Sequence, residues 1–342
     1  VPASDPFVGD KVTQSHVSET FQARVPPPAF DIPKESVFPS ASTAFPPTAG
    51  FGWAGSTLPD GRYVIWNGNT VFTQVTAGID SWQPIARGYV GDPAFIVPIP
   101  NTTEFLLGAG FSGNVYRVDW MNPQDFTAGD GDNITSHFSA GFLNDTLLAV
   151  DRGDFGFPAE IIVVDTALLA REGIRSAAPR IILSGPEPTN PTDRTIEKPP
   201  GSFSASVAVD SGSGLLYVTD SGNGQVMSFS LAAVINAFNT AGTLDWVADG
   251  TPIGTPFQYP LGGVSGFTAS GNLVMGGFGA IVEVNPGTGA ILKSIDPAGT
   301  GPFYSILYNG FTEDLNAIQS DFPNPDIIHT TLSAAPAVPV DI

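Results

Sequence analysis

Few residues in this chain can do proton chemistry. There are three histidines, His16, His137 and His329, and no cysteine. Without a thiol, thiolate nucleophiles, thiolate metal sites and disulfides are all excluded. His16 and His329 lie near the two ends of the chain and read as surface residues. His137 stands just before an apolar strand pattern, where an imidazole is either a proton shuttle near neutral pH or a satisfied structural group. Asp151 and Asp220 each follow an apolar run. With His137 and Tyr304 they are the candidate polar handles of a central site, and His137, Tyr304 and Asp220 are the catalytic candidates. Gly263-Val264-Ser265-Gly266 comes close to a nucleophile elbow, but it lies in a strand pattern and not at a strand-to-helix turn. Gly129-Asp130-Gly131-Asp132-Asn133 is an acidic turn without the spacing and distal Glu of a calcium loop. No metalloprotease helix motif, P-loop or dinucleotide fingerprint occurs.

Aromatic residues say more. The chain has 24 Phe, 7 Tyr and 5 Trp. Trp53, Phe95, Phe138, Phe203, Phe267 and Tyr304 recur at or near the start of successive strand groups. Two destinations are open to them. They line a central channel as an apolar pocket for a hydrophobic organic ligand, or they pack between neighbouring groups as core. In the first case Trp53, Phe95, Phe138, Phe203 and Phe267 are the substrate-binding candidates.

The elements that would position these residues are short strands. The 39 Gly and 32 Pro fall as scattered turn punctuation. From residue 50 a theme recurs, in which a strand, a D-G, S-G or G-N turn and a second alternating strand are followed by a third. GFGWAGSTLPDGRYVIWNGNTVFTQV is the first instance and FSASVAVDSGSGLLYVTDSGNGQVMSFSL a later one. The period of about 40 to 65 residues fits the blades of an all-β propeller. Five clear units and a degenerate one beginning at PFYSILYNG predict six blades, with five or seven as alternatives. LAAVINAFNT after Met227 predicts one short helical insert, and DTALLAREGI at 165–174 is a second helical candidate. Residues 1–48 read as an extended Pro-rich N-terminal arm packed on the domain and supplying a closing strand. The propeller then spans 49–330, and 331–342 form a C-terminal tail.

The run Leu216-Tyr217-Val218-Thr219-Asp220-Ser221-Gly222-Asn223-Gly224-Gln225-Val226 resembles the NHL-repeat signature. It is similar to the matching strand of the gluconolactonase and senescence-marker-protein family of six-bladed propellers. Leu147-Leu148-Ala149-Val150-Asp151-Arg152-Gly153 is a weaker echo. The resemblance implies a divalent ion, usually calcium, in the central channel, with Asp220 at the metal-binding Asp position. Gly201-Ser202-Phe203-Ser204 stands where that family has Pro-Asn-Gly, and no Glu precedes Gly50–Trp53. One Asp with scattered carbonyls falls short of the six or more oxygens a calcium ion takes. The sequence therefore predicts a site without a resident metal. The chain also resembles fungal biosynthetic propellers of the hetero-Diels–Alderase type.

Three functions are expected from these readings. The first is a cofactor-free small-molecule enzyme that holds a hydrophobic organic substrate in an aromatic channel and catalyses cyclisation or cycloaddition. The second is a calcium-dependent lactonase, in which metal polarises the lactone carbonyl. The third is a non-catalytic propeller that binds glycan or protein on its faces.

The bulk charge limits the partners. A formal net charge of −20 leaves no basic patch for nucleic acid or an anionic membrane surface. No apolar run reaches the length of a membrane span. Three Asn-X-Thr sequons, at Asn101, Asn133 and Asn144, fall in turn-like contexts and predict N-glycans. The chain starts at Val1, which reads as a mature form after removal of a leader. Together these predict a secreted glycoprotein, with a filamentous fungus as source.

Overall fold

A computed structural model describes residues 54–76, 82–87, 93–110, 113–122, 132–133, 139–152, 160–167, 180–184, 204–220, 224–254, 263–276, 281–295, 303–309, 314–319 and 326–331. Among the described residues the regular structure is mostly antiparallel sheet built from neighbouring stretches of chain, with a helix of ten residues. The first sheet is β1 (Ala54–Thr57), β2 (Tyr63–Trp66), β3 (Thr70–Gln74) and β4 (Trp82–Arg87). The second is β5 (Pro93–Pro98), β6 (Glu104–Ala109), β7 (Asn114–Asp119) and β8 (Asp132–Asn133). The third holds β9 (Ser139–Phe142), β10 (Leu147–Arg152), β11 (Glu160–Asp165) and β12 (Arg180–Ser184). The fourth has β13 (Ser204–Asp210), β14 (Leu215–Asp220) and β15 (Gln225–Ser230), with β17 (Thr251–Pro252) at its edge. The fifth is β18 (Gly263–Phe267), β19 (Leu273–Gly276), β20 (Ile281–Val284) and β21 (Ile291–Ile295). The sixth is β22 (Phe303–Tyr308), β23 (Asp314–Gln319) and β24 (Asp326–Thr331).

The first strands of the sheets form a ring. β1 lies beside β5, β5 beside β9, β9 beside β13, β13 beside β18 and β18 beside β22, which returns to β1. Sheets arranged radially around one axis make the all-β propeller that the repeats predict. The expectation of six blades is corrected to five complete blades. Five sheets have the four or more strands of a complete blade, and the sixth has three among the described residues. The arm at 1–48 and the tail at 332–342 lie outside the described residues.

The helical insert sits where the sequence puts it. The helix α1 (Leu231–Thr240) starts at Ser230, whose hydroxyl accepts from the Ala233 N–H, and ends at Ala241 in the left-handed region. Leu231, Val234 and Ala237 recur every three residues and are buried, so one face of α1 seals the core. The chain beyond it forms β16 (Leu244–Asp245), which pairs in parallel with β12 of the third sheet. It then returns to the fourth sheet as β17. This strap covers the outer edge of the third sheet, and Trp246 tucks against Phe229 with ring centroids 5.7 Å apart. The other helical candidate, 165–174, lies mostly outside the described residues.

Apolar side chains from facing sheets supply the cohesion. Val64, Trp66, Ile96, Phe105 and Tyr116 fill the seam between the first and second sheets. Leu106, Leu148, Val150 and Ile162 fill the next seam. Ala149, Val163, Leu216, Val218 and Phe229 join the third sheet to the fourth, and Tyr217, Val264, Leu273 and Met275 join the fourth to the fifth. Each of the larger side chains contributes about 1.5–3 kcal/mol of burial. The ring is closed by a polar tie, in which Asn309 Nδ2 of the sixth sheet donates to the Gly61 carbonyl of the first at 3.3 Å.

Candidate active site at the channel rim

Strand register defines one tier of the ring. In each sheet the first residue of the inner strand faces a residue at or next to the end of the second strand. These pairs are Ala54 with Trp66, Pro93 with Ala109, Ser139 with Asp151, Ser204 with Asp220, Gly263 with Gly276 and Phe303 with Gln319. All six therefore lie at the same end of the barrel of strands. The hairpin turns that carry Asn101 and Asn144 lie at the other end.

The tier is uneven. In the first two sheets it carries Ala54, Trp66, Pro93 and Ala109, which are apolar apart from one indole N–H. In the third and fourth it carries hydroxyls and carboxylates. Asp151 is 0% exposed and Asp220 is 4% exposed, so both acids are held inside the protein. Hydroxyls stitch these sheets together. Ser139 Oγ accepts from the Val207 N–H at 3.0 Å, across the seam from the third sheet to the fourth. Ser206 Oγ accepts from the Val264 N–H at 2.8 Å, across the seam to the fifth, and lies 3.0 Å from Thr219 Oγ1.

Four inner strands carry a β-bulge at this end. The extra residues are Ala94, Ala205, Ser265 and Tyr304, each left without a register partner between two paired neighbours. Bulges re-aim side chains and break the strict alternation of faces. Ser265 uses its hydroxyl to bond the Val274 carbonyl at 3.1 Å, so it serves the strand and not as a nucleophile. Gly263 has φ 58°, and a Cβ there would stand 2.0 Å from Ser206 Oγ, so this seam requires glycine.

Some of the sequence candidates lie on the described residues. Asp220 stands at the rim tier, one sheet away from Asp151. Tyr304 is the bulge residue of β22. Phe95 is corrected. The bulge at Ala94 shifts the alternation by one, and Phe95, 5% exposed, packs with Leu148, Val150 and Ile162 between the second and third sheets. Its expected place on the channel wall is taken by sheet packing. Phe267 is partly buried against the core between the fourth and fifth sheets, its ring 5.6 Å from that of Tyr217. Burial raises the pKa of Tyr217; the Ser213 hydroxyl lowers it in part, and the nearby Asp210 charge adds to the rise. His137, Trp53, Phe138 and Phe203 lie outside the described residues, as do the Gly201–Ser202 departures from the family pattern.

The sequence reading missed Trp66, Ser139 and Ser206. Trp66 occupies in the first sheet the register position that Asp151 and Asp220 occupy in the third and fourth. Aligning the second strands of the repeats, and not the first, was the signal that could have found it. Among the described residues no three carboxylates or imidazoles come together. No helix among the described residues is long and apolar enough to cross a membrane.

Of the glycosylation candidates, Asn101 sits in the β5–β6 turn with φ 60°, exposed, its Nδ2 donating to Asp145 Oδ1 at 3.2 Å. Asn144 is exposed in the β9–β10 turn, its Oδ1 accepting from the Thr146 and Leu147 N–H groups. Asn133 is part of the short outer strand β8.

No protein-family model matches the sequence, and no curated protein matches it. Solved structures do match. A luciferin-regenerating enzyme superposes with a TM-score of 0.53 at 10% identity, over 84% of this chain and 94% of its own. A chain of a nidogen/laminin complex gives a TM-score of 0.53 at 10% identity, over 74% of this chain and 83% of its own. At such identities the likeness shows the fold alone, and it agrees with the propeller ring described above.

Proposed function

We propose that this chain is a small-molecule enzyme that works at the rim tier of its central channel without a resident metal. The observation that carries the reading is the division of that tier, with buried Asp151 and Asp220 on adjacent sheets and the apolar residues Ala54, Pro93 and Ala109 at the same level of the first two sheets. A mostly apolar organic substrate with a few polar atoms suits such a rim, its body toward the apolar residues and its hydroxyl or acidic proton toward the carboxylates. One of the two similar structures is a luciferin-regenerating enzyme, which is consistent with catalysis on this fold without specifying it.

The reaction class that fits best is cyclisation or cycloaddition of the hetero-Diels–Alder kind. Two σ bonds form between a heterodiene and an alkene, three π bonds become one, and no proton, electron or leaving group departs. Such a step needs orientation and a hydrogen bond to the heterodiene oxygen more than it needs a nucleophile. In this reading Asp220 orients the substrate by accepting from its hydroxyl, and His137 and Tyr304 are further polar contacts.

The test is an incubation of purified protein with an ortho-quinone methide generated in situ and a sesquiterpene alkene. Chiral chromatography of the adduct is the readout. An enantiomeric excess, undiminished by a chelator, is expected. A racemic adduct at the background rate contradicts the reading. Lactone hydrolysis that a chelator abolishes would replace it with the calcium-dependent hydrolase.

Export is part of the proposal. The exposed turns at Asn101 and Asn144 support N-glycans on the face away from the rim. Secretion from a glycosylating host and a mobility shift on deglycosylation are expected, and an unshifted secreted band contradicts it.

A further inference from the structure

The fifth sheet holds a buried carboxylate between an amide and an amine. Glu283 in β20 faces Val274 of β19 on one side and Lys293 of β21 on the other. Asn272 stands two residues before Val274, so strand alternation puts it on the same face. Glu283 is 5% exposed and Asn272 is 9% exposed. Glu283 Oε1 accepts from Asn272 Nδ2 at 2.7 Å, and Lys293 Nζ lies 3.4 Å from Glu283 Oε2. That second contact is an ion pair without hydrogen-bond geometry, so the buried Oε2 has no hydrogen-bond partner among the described residues. Ser270 Oγ also accepts from Asn272 Nδ2 at 3.1 Å, and the Asn272 backbone N–H donates to Thr268 Oγ1 at 3.0 Å. The amide is thereby held facing the carboxylate. A buried charge pair of this kind is weak evidence for stability, since apolar residues of similar volume often serve a fold as well.

We propose that Asn272, Glu283 and Lys293 are a self-modification site, at which Lys293 Nζ joins Asn272 Cγ in an isopeptide bond. The proposal stands apart from the rim reading. Aminolysis of an amide needs a neutral amine, a proton for the leaving nitrogen and the two partners held together. One carboxylate that touches both nitrogens can supply both proton transfers. Glu283 Oε2 takes a proton from the Lys293 ammonium, and the freed lone pair attacks Asn272 Cγ. Glu283 Oε1 then delivers a proton to Asn272 Nδ2, the nitrogen it already touches, and the Cγ–Nδ2 bond breaks. One Nζ–Cγ bond forms and one Cγ–Nδ2 bond is lost. Two protons pass from Nζ to the leaving nitrogen, so ammonium departs and nothing is oxidised or reduced. Holding the partners in one sheet replaces an encounter in solution, and burial of Asn272 and Glu283 keeps water from competing for Cγ. The Lys293 side chain, 29% exposed, leaves the ammonium a way out. The product would tie β19 to β21 across β20.

The test is mass spectrometry of the full chain, produced in bacteria so that no glycan alters its mass and incubated at neutral pH. The wild type should be lighter than its sequence mass by one ammonia. A protease that cuts after Glu then separates Asn272 from Lys293 at Glu283, so only a covalent link keeps their peptides together. Fragmentation should show those two peptides joined through Lys293 and Asn272. Glu283→Gln, which keeps the shape but cannot take the proton, and Lys293→Arg should each retain their own full sequence mass. The wild type carries the readout itself, so a variant that folds poorly does not decide the result. A wild type at full mass overturns the proposal. So does loss of ammonia with the two peptides separate, which marks ring closure of an asparagine on its own backbone. A Glu283→Gln chain that still loses ammonia and carries the link overturns the role of the carboxylate.

Discussion

The first two sheets and the third and fourth share one architecture and differ in what their second strands end on. Trp66 and Ala109 hold the tier position in one half, and Asp151 and Asp220 hold it in the other. The seams differ in the same way. The seam between the first and second sheets is closed by Trp66, Phe105, Leu107 and Tyr116. At the seams of the third, fourth and fifth sheets, backbone N–H groups reach across to Ser139 and Ser206. A repeated backbone can thus carry different chemistry on different sheets around one axis, because register fixes position and leaves residue type free.

Exchanging the two characters should have the largest effect. Ala109→Asp puts an unpaired carboxylate in the apolar half, where Ala109 is 0% exposed. A loss of about 4 kcal/mol in denaturant unfolding at neutral pH is expected. The loss should shrink on acidification, as the neutral acid escapes the cost of burying charge. An unchanged midpoint would show that this half is wet.

Gly263→Ala comes next. It forces a Cβ toward Ser206 Oγ at a residue with φ 58°, and about 3 kcal/mol of destabilisation is expected. Ser206→Ala removes an acceptor from the buried Val264 N–H and a partner from Thr219. It should cost about 1–2 kcal/mol, with hydrogen exchange at Val264 accelerated beyond that at the seam of the first and second sheets.

The smallest effect is expected at Asp60 in the turn of the first sheet. Burial works to raise its pKa, but hydrogen bonds from Arg62 and its charge outweigh that and hold the carboxyl below the ordinary range. A lowered pKa in the folded state means that the contribution is present above about pH 4 and fades as pH falls below it. Asp60 is 48% exposed, so solvent screening limits Asp60→Asn to a few tenths of a kcal/mol. A pH-dependent loss well beyond that in acid titration would mean that the first sheet depends on charge more than its apolar seam suggests.

The strands, their grouping and the helix at Leu231–Thr240 were legible because periodicity and turn residues are local signals. The strand that ends at Asp220 was legible because it carries a known repeat signature. The packing of Phe95 between sheets was not legible, because a bulge adds one residue with no mark in composition and turns the following side chain to the other face. Trp66 was overlooked because its place in the tier comes from pairing with Ala54. That pairing does not exist before the strands meet. The strap through β16 was equally hidden, since Leu244 and Leu183 are far apart in sequence and pair only when the third and fourth sheets stand side by side.

The most direct measurement is the enantiomeric excess of the cycloadduct made by the wild-type chain and by Asp220→Asn, each checked for an unaltered melting temperature. A clear excess for the wild type that falls toward a racemate in the variant is the predicted result. A wild-type product as racemic as the uncatalysed one, or an excess that Asp220→Asn leaves whole, would contradict a site at this rim.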